Sequence, residues 1–223
     1  RLNSSAASDV YKRQVSYKWH DLPPGSGLLD LELGRESELT HYDWITDTTV
    51  HDGSAWAYMK NSKYKTTTDL VHYLIDNVSK NGYMLLNIGP KPDGTIPEED
   101  KNLLEGIGNW LDVNGEAIFE TETWDQYGEG PTKMNEAGPF SDNRAKLIYT
   151  AKDFRFTTKD NFLYATALGW PSKDFTIESI YKLFDNEIER VELLGSNYKV
   201  EWKHTRDGLH ITRPDNKPCE HAY

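Results

Sequence analysis

The chain has 223 residues and a formal net charge of −11 at pH 7. This acidic balance argues against nucleic acid as a partner, because phosphate backbones require a basic surface. The single cysteine, Cys219, excludes an internal disulfide bond and a thiolate-rich metal site. No apolar run approaches the roughly 20 residues needed to cross a bilayer, so no membrane partner is expected. The length allows one large or two ordinary domains with a buried core.

Residues 1–14 (RLNSSAASDVYKRQ) have neither a clear amphipathic period nor helix caps. They resemble translated adapter sequence more than a protein terminus. We therefore predict a non-native leader and leave it out of the fold argument. The chain also stops abruptly at Tyr223, so we expect a fragment that is open at both ends.

Two short strands and a helix are predicted next. Leu28 to Leu33 alternates in its second half, as the end of a strand does, and Trp44 to Val50 is rich in β-branched residues. The segment from Thr67 to Lys80 has a helical stripe made of Leu70, Leu74 and Val78. Thr66 and Asp69 are three residues apart, which predicts a capping box at the start of this helix.

A strand, a tight loop and a capped helix follow between Asn81 and Phe119. Tyr83 to Ile88 is an almost unbroken apolar run, which predicts a strand buried on both faces. Thr95 and Glu98 form a capping-box pattern before a helix that ends at Asn114-Gly115. The apolar stripe of this helix consists of Leu103, Leu104, Ile107, Trp110 and Leu111. Elements in this order are typical of a (β/α) barrel, although a doubly wound sheet would have the same local pattern.

After Thr121 the pattern changes. Residues 124–143 are punctuated by glycine and proline, which predicts a connector with little regular structure. Short β runs then alternate with turns: Phe154 to Thr158, Leu163 to Leu168, Phe175 to Ile180, Arg190 to Leu194, Lys199 to His204 and Leu209 to Thr212. Strands at this spacing predict a small antiparallel β-sandwich.

Four segments carry a resemblance to a known family. Residues 78–97 read VSKNGYMLLNIGPKPDGTIP, and residues 107–121 read IGNWLDVNGEAIFET. With these motifs the chain resembles glycoside hydrolase family 29, the retaining α-L-fucosidases. Residues 153–171 (DFRFTTKDNFLYATALGWP) and residues 192–196 (ELLGS) resemble the C-terminal domain of the same family.

The resemblance implies an α/β fold followed by an all-β domain. Residues 15–120 would form the C-terminal part of a (β/α)8, TIM-like catalytic barrel. Residues 121–223 would form a linker and an antiparallel β-sandwich whose last strand is truncated.

The chemistry of the family needs two carboxyl groups facing one glycosidic bond, ~5–5.5 Å apart in retaining enzymes. The resemblance places the nucleophile, an aspartate of a mid-barrel strand, before Val15 and hence outside this chain. Asp9, in the predicted leader, is no substitute. The resemblance assigns the acid/base to Glu32, about a dozen residues before Trp44, with Glu36 as a rival and Glu38 as a weaker one. At the end of a barrel strand, partial burial would raise the pKa of such a glutamate.

Three further residues are predicted to bind substrate. The resemblance places Trp56 as an aromatic wall against the C6 methyl of fucose, where burying one carbon contributes ~0.8 kcal/mol; an ordinary core tryptophan is the alternative. Trp44 either supports that wall or packs in the core. Arg35 either pairs with a carboxylate of the site or is a solvated surface residue.

For the other candidate residues, a structural role is the simpler interpretation. For Asn87, near the end of a predicted barrel strand, a backbone-capping role is favoured over substrate contact. The seven histidines, His41 and His51 among them, show no metal-ligand spacing. Trp170 and Trp202 could form a sugar-stacking platform, although sandwich domains use tryptophan routinely in their cores.

The function expected for the full-length protein is that of an exo-acting, retaining α-L-fucosidase. It would release terminal fucose from oligosaccharides or glycoconjugates without a cofactor or a metal. A non-catalytic carbohydrate-binding sandwich and an inactive relative of the family are the alternatives. The resemblance further implies an extracellular or periplasmic location. A microbial source is our expectation, and the source organism and the oligomeric state stay open.

Overall fold

A computed structural model describes residues 16–18, 22–23, 26–53, 55–143 and 146–223. The predicted leader, residues 1–14, lies outside these ranges. Among the residues that are described, no helix is both long enough and apolar enough to cross a membrane.

The N-terminal part is a parallel sheet of four strands in the order β1-β2-β3-β4. The strands are β1 (Ser16–Tyr17), β2 (Leu28–Asp30), β3 (Trp44–Thr49) and β4 (Gly82–Asn87). Helix α1 (Thr67–Ser79) lies between β3 and β4 in the chain, and helix α2 (Glu98–Asn114) follows β4. Parallel strands joined through a helix are the unit from which (β/α) barrels are built, as predicted.

The two helices begin differently. The predicted capping box of α1 is confirmed, because the Asp69 backbone N–H donates to the Thr66 hydroxyl and the Thr66 N–H donates to the Asp69 carboxylate. The box predicted for α2 is wrong. The N–H and hydroxyl of Thr95 both donate to Asp93 Oδ1, at 3.0 and 2.7 Å, and Pro97 caps the helix without a side-chain hydrogen bond. Thr95 is therefore engaged in a local turn with Asp93 and does not cap helix α2.

Strand β4 is buried on one face only, which corrects the predicted burial of both. Leu86 and Ile88 pack against the core beneath the helices, whereas Tyr83 and Leu85 are 52% and 58% exposed. The exposed side chains point to the sheet face opposite the helices. In a closed barrel this face is the interior, so an apolar sequence is appropriate there.

The C-terminal part consists of two three-stranded antiparallel sheets, ordered β5-β6-β7 and β8-β10-β9. Their strands are β5 (Glu122–Glu129), β6 (Phe154–Lys159), β7 (Phe162–Ala167), β8 (Phe175–Ile177), β9 (Trp202–Thr205) and β10 (Gly208–Ile211). A cluster of Phe154, Phe156, Ala167, Ile177 and Leu209 forms their common core. The predicted sandwich is therefore present.

Three details of the C-terminal prediction are wrong. Strand β5 falls inside the expected irregular connector, because residues 122–129 pair with β6. Residues 190–194 form no strand, although Val191 packs against the sandwich core. Strand β9 starts at Trp202 rather than at Lys199.

One buried hydrophobic cluster contains residues of both parts. Leu168 and Ala222, from the C-terminal part, lie in the same buried cluster as Leu70 and Val71 of α1 and Trp110 of α2. The Trp110 indole N–H also donates to the Ala222 carbonyl at 2.9 Å. The sandwich is therefore packed into the helical layer of the N-terminal part.

A buried ionic cluster joins the same two parts. Asp76 of α1 is fully buried and lies 2.9 Å from the Lys80 ammonium, 2.6 Å from Arg155 of β6 and 3.4 Å from Arg35. Arg35 also contacts Asp142 of the connector at 3.1 Å. Burial alone would raise the pKa of Asp76, but the three cations hold it well below its usual value. One carboxylate thus connects α1, the segment after β2 and the sandwich.

Replacing this carboxylate tests its contribution to stability. We expect Asp76→Asn to lower the free energy of unfolding at pH 7 by about 3–5 kcal/mol, because buried cations lose their partner. A carboxyl group with a depressed pKa stabilises the fold above the pKa of the unfolded chain, about 3.9, and loses that effect at lower pH. The difference between parent and variant in urea unfolding should therefore narrow only below about pH 4.

Asp43 provides the matched control, because it is exposed at the start of β3. Asp43→Asn should change the free energy of unfolding by no more than about 0.5 kcal/mol. Equal urea midpoints for the Asp76 and Asp43 variants would show that the ionic cluster contributes nothing.

Candidate active site

Glu32 lies two residues beyond β2, at the carboxyl edge of the parallel sheet. Backbone hydrogen bonds from Leu31 N to Ile45 O (2.8 Å) and from Leu33 N to Asp47 O (2.9 Å) continue the pairing with β3 past the end of the strand. The Phe140 N–H of the connector donates to the Glu32 carbonyl at 2.7 Å. The backbone of Glu32 is therefore held from both sides at the edge where barrel enzymes carry their catalytic groups.

The side chain of Glu32 is partly buried among charged groups. The side chain is 25% exposed, and its carboxylate accepts a hydrogen bond from Lys18 Nζ at 2.6 Å. The same ammonium lies 3.6 Å from a carboxylate oxygen of Asp30 and 3.6 Å from one of Asp47. Pro139 and Phe140 line the small cleft beside this group. Three neighbouring strands thus bring one lysine and three carboxyl groups together.

Two members of this group, Asp30 and Lys18, have raised pKa values. Burial, and then the neighbouring Asp47 carboxyl, raises the pKa of Asp30 to about 6, with Lys18 opposing the shift. The pKa of Lys18 is raised, because the hydrogen bond from Lys18 to Glu32 and the charges of the two aspartates outweigh the effect of burial. The site therefore combines a firmly protonated lysine with an aspartate that takes up a proton more readily than usual.

The rival glutamates have other environments. Glu36 accepts a hydrogen bond from the Tyr42 hydroxyl at 3.0 Å, and its carbonyl accepts one from Lys80. Burial, and then this contact with Glu36, raises the pKa of Tyr42 to about 12. Glu38 is exposed. Of the three glutamates, Glu32 is the one placed in the cleft at the carboxyl edge of β2.

Trp56 lies in a loop that is fastened to the same edge of the sheet. The Thr49 hydroxyl, at the end of β3, donates to the Ala55 carbonyl at 2.8 Å. The Asn87 amide, at the end of β4, donates to the Trp56 carbonyl at 2.9 Å, which confirms the capping role predicted for Asn87. A Cβ on Gly89 would lie 2.8 Å from Tyr58 N, so glycine allows the loop to approach β4 closely. Trp56 itself is partly exposed.

Two of the predicted substrate-binding residues are buried elsewhere. Trp44 is fully buried, its indole N–H donates to the Lys80 carbonyl at 3.1 Å, and its ring fills the space beside Gly82. Its position is that of a packing residue, which is one of the two alternatives predicted for Trp44, and its buried ring has no surface left for a substrate. Arg35 is 6% exposed and is bound to Asp76 and Asp142. It is neither solvated nor paired with Glu32, because its guanidinium is committed to the ionic cluster.

The remaining candidates offer little for a ligand. Trp202 packs against the sandwich core, and Trp170 lies between the Tyr223 ring and the Arg213 guanidinium. His51 is fully buried and packs against Tyr64 with the rings tilted, at 4.8 Å between ring centroids. Over the described ranges, no cluster of His, Cys, Asp and Glu side chains could hold a metal ion.

Lys18 and Asp47 are site residues that the sequence analysis missed. Neither stands in a recognised motif, and they are separated from Glu32 by 14 and 15 positions. The available signal was the alternation within β3, which places Asp47 on the same face as Ile45. That pattern indicates a face but not which residues of β1 and β2 lie opposite.

Two family models match the chain. The model for α-L-fucosidase matches residues 10–116 and begins inside the predicted leader, and the model for the α-L-fucosidase C-terminal domain matches residues 146–223. Plasma α-L-fucosidases of Rattus norvegicus and Homo sapiens are each 33% identical to the chain, over 192 and 190 residues. In both cases the match covers 82% of this chain and 37% of the relative, so the chain spans little more than a third of these relatives.

Solved structures show the same likeness. A Thermotoga maritima α-fucosidase in complex with a mechanism-based inhibitor matches with a TM-score of 0.68 and 26% identity, over 95% of this chain and 44% of that one. The same organism's enzyme in complex with fucose matches with a TM-score of 0.65 and 26% identity, over 95% and 43%. Together with the two family models, these matches show that the chain belongs to the α-L-fucosidase family, glycoside hydrolase family 29.

Proposed function

We propose that the protein of which this chain is part is a retaining exo-α-L-fucosidase. It removes terminal α-L-fucosyl groups from oligosaccharides or glycoconjugates by double displacement, without a cofactor. Support comes from family membership and from relatives solved with fucose and with a mechanism-based inhibitor. The observation that carries the proposal for this chain is the partly buried Glu32 carboxyl at the carboxyl edge of the parallel sheet.

In this proposal Glu32 is the general acid and base. In the first step it protonates the departing glycosidic oxygen while the nucleophile attacks the anomeric carbon, and a glycosyl-enzyme forms. In the second step the resulting carboxylate takes a proton from water while the water oxygen attacks the anomeric carbon, which breaks the bond to the nucleophile and releases fucose. The fixed backbone of Glu32 and its partial burial suit both roles, because the carboxyl must hold one position through two proton transfers.

Glu32→Gln tests the assignment in the full-length enzyme. We expect kcat/KM to fall about 10²–10⁴-fold on a fucosyl disaccharide, whose sugar leaving group needs a proton. On an aryl fucoside with a good leaving group, the first step should be much less affected. Glu36→Gln is the matched control and should retain most of the activity. A larger loss from Glu36→Gln than from Glu32→Gln would reverse the assignment.

Trp56 is proposed as the aromatic wall that contacts the C6 methyl of fucose. Its loop is fastened to β3 and β4 by Thr49 and Asn87, which places the ring at the edge of the sheet where Glu32 also lies. Fucose differs from L-galactose in having a methyl group in place of the CH₂OH group. A buried apolar wall therefore favours the methyl sugar.

Trp56→Ala should weaken this preference. We expect the ratio of kcat/KM for L-fucoside over L-galactoside to fall about fourfold, which corresponds to ~0.8 kcal/mol for one buried carbon. Trp44→Phe, at the fully buried tryptophan, should lower stability and leave the ratio unchanged. An unaltered ratio in the Trp56 variant would remove this residue from the specificity site.

The nucleophile is proposed to lie outside residues 15–223. The purified chain of 223 residues should therefore not hydrolyse an aryl α-L-fucoside above the uncatalysed background, whereas the full-length enzyme should. Turnover by the isolated chain that is lost in Glu32→Gln would show that the chain carries its own nucleophile. The extracellular or periplasmic location stays a proposal that fractionation of the source cells would test.

A further inference from the structure

One lysine is surrounded by three carboxyl groups at the candidate active site. Lys18 Nζ lies 2.6 Å from Glu32 and 3.6 Å from both Asp30 and Asp47. With all groups ionised, three negative charges would face one positive charge in a partly buried cleft. Such an arrangement is costly, because closely spaced like charges in a low-dielectric site oppose each other's ionisation.

The two aspartates each have a buried oxygen whose hydrogen bonding is unsatisfied. Asp30 is 8% exposed, and Asp30 Oδ1 and Asp47 Oδ1 are both buried without a hydrogen-bond partner among the described residues. Two carboxylates cannot bond to each other, because neither has a proton to donate. A single proton held by the pair would make one of them a donor to the other. The raised pKa of Asp30, about 6, agrees with such sharing.

Among the described residues, the ion pair that Glu32 forms is the one with Lys18. Lys18 follows β1, Asp30 ends β2, and Asp47 is part of β3. From the connector, Pro139 and Phe140 line the cleft and carry no charge. On β4, the residue in register with Asp47 is the apolar Leu85. The charge that Glu32 experiences from these elements therefore comes from Lys18 and the two aspartates.

We propose that Lys18, Asp30 and Asp47 are positioning residues that hold the Glu32 carboxyl and determine its charge, with Lys18 shared between Glu32 and the aspartate pair. This inference rests on the proposed function, in which Glu32 is the proton donor. When the pair holds a proton, the charge of Lys18 acts mainly on Glu32 and favours its carboxylate. When the pair is ionised, it competes for Lys18, and Glu32 accepts a proton more readily.

The consequence suits a group that alternates between acid and base. Glu32 must be protonated when the leaving group departs and ionised when water attacks. A lysine alone would keep Glu32 ionised, and a hydrophobic cleft alone would keep it protonated. A lysine balanced by an aspartate pair holds the two forms closer in free energy, so that neither step meets a strongly disfavoured state.

The test measures the titration of Glu32 itself. In the full chain of 223 residues, with Asp and Glu labelled with ¹³C at their side-chain carboxyl groups, NMR follows each carboxyl as the pH changes. Lys18→Met should raise the pKa of Glu32 by about one unit, a tenfold change in its acid dissociation constant. Lys18→Arg keeps the charge and should leave the pKa close to that of the parent.

Two further variants test the direction of the change in the pKa of Glu32 and provide a control. Asp47→Asn removes a competitor for Lys18 and should lower the pKa of Glu32. Lys101→Met is the matched control, because Lys101 pairs with Glu98 on the exposed surface of α2, and it should have no effect on Glu32. A Glu32 titration in Lys18→Met that matches the parent, or a rise in Asp47→Asn, would overturn the proposal.

The full-length enzyme supplies an independent readout. Because kcat/KM requires protonated Glu32, Lys18→Met should move the alkaline limb of its pH profile upward and Asp47→Asn should move it downward. The NMR titration needs no catalysis, which separates the two proposals. Shifted titrations in a protein without fucosidase activity would reject the proposed function alone. Unshifted titrations in an active enzyme would reject the role of Lys18 and the aspartates alone.

Discussion

The buried carboxylate of Asp76 is the constraint on which the arrangement of the whole chain depends. It is surrounded by Lys80 of its own helix, by Arg155 of the sandwich and by Arg35 of the segment that follows Glu32. Each of these cations is nearly as buried as the carboxylate itself. Because a buried charge is tolerated only with its partners in place, the helical layer, the sandwich and the loop after β2 have to adopt their positions together.

The same cluster supports the candidate active site through the backbone. Arg35 is three residues from Glu32, and the connector segment that supplies Asp142 also supplies the Phe140 N–H bonded to the Glu32 carbonyl. Gly34 allows this approach, since a Cβ there would lie 2.1 Å from the Gly138 carbonyl oxygen. The position of the acidic side chain is thus determined by the connector as well as by its own strand. Charge within the cleft is then set by side chains of β1 to β3.

The sequence-based predictions were most accurate for interactions between residues that lie close together in the sequence. The α1 capping box and the parallel strand–helix units depend on contacts near in sequence or on a regular period, and they were predictable. The environment of Arg35 and Trp44 depends on residues tens of positions away. Arg35 was expected in the site or at the surface, and for Trp44 the sequence left both the site and the core open. The capping box predicted at Thr95 failed for a local reason, because the Thr95 hydroxyl donates to the nearby Asp93 carboxylate instead. Lys18 and Asp47 could be found only once strand register was known.

The insertion of Ala222 and Leu168 among the side chains of α1 and α2 has an evolutionary consequence. A sandwich joined to a barrel by a free linker can be exchanged between genes as a cassette. Here a foreign sandwich would leave a hole in the helical layer and would remove Arg155, one of the three cations beside Asp76, so recombination at the boundary would yield an unstable hybrid. The two parts of this chain should therefore co-evolve, because a substitution on one side of the boundary favours a compensating substitution on the other.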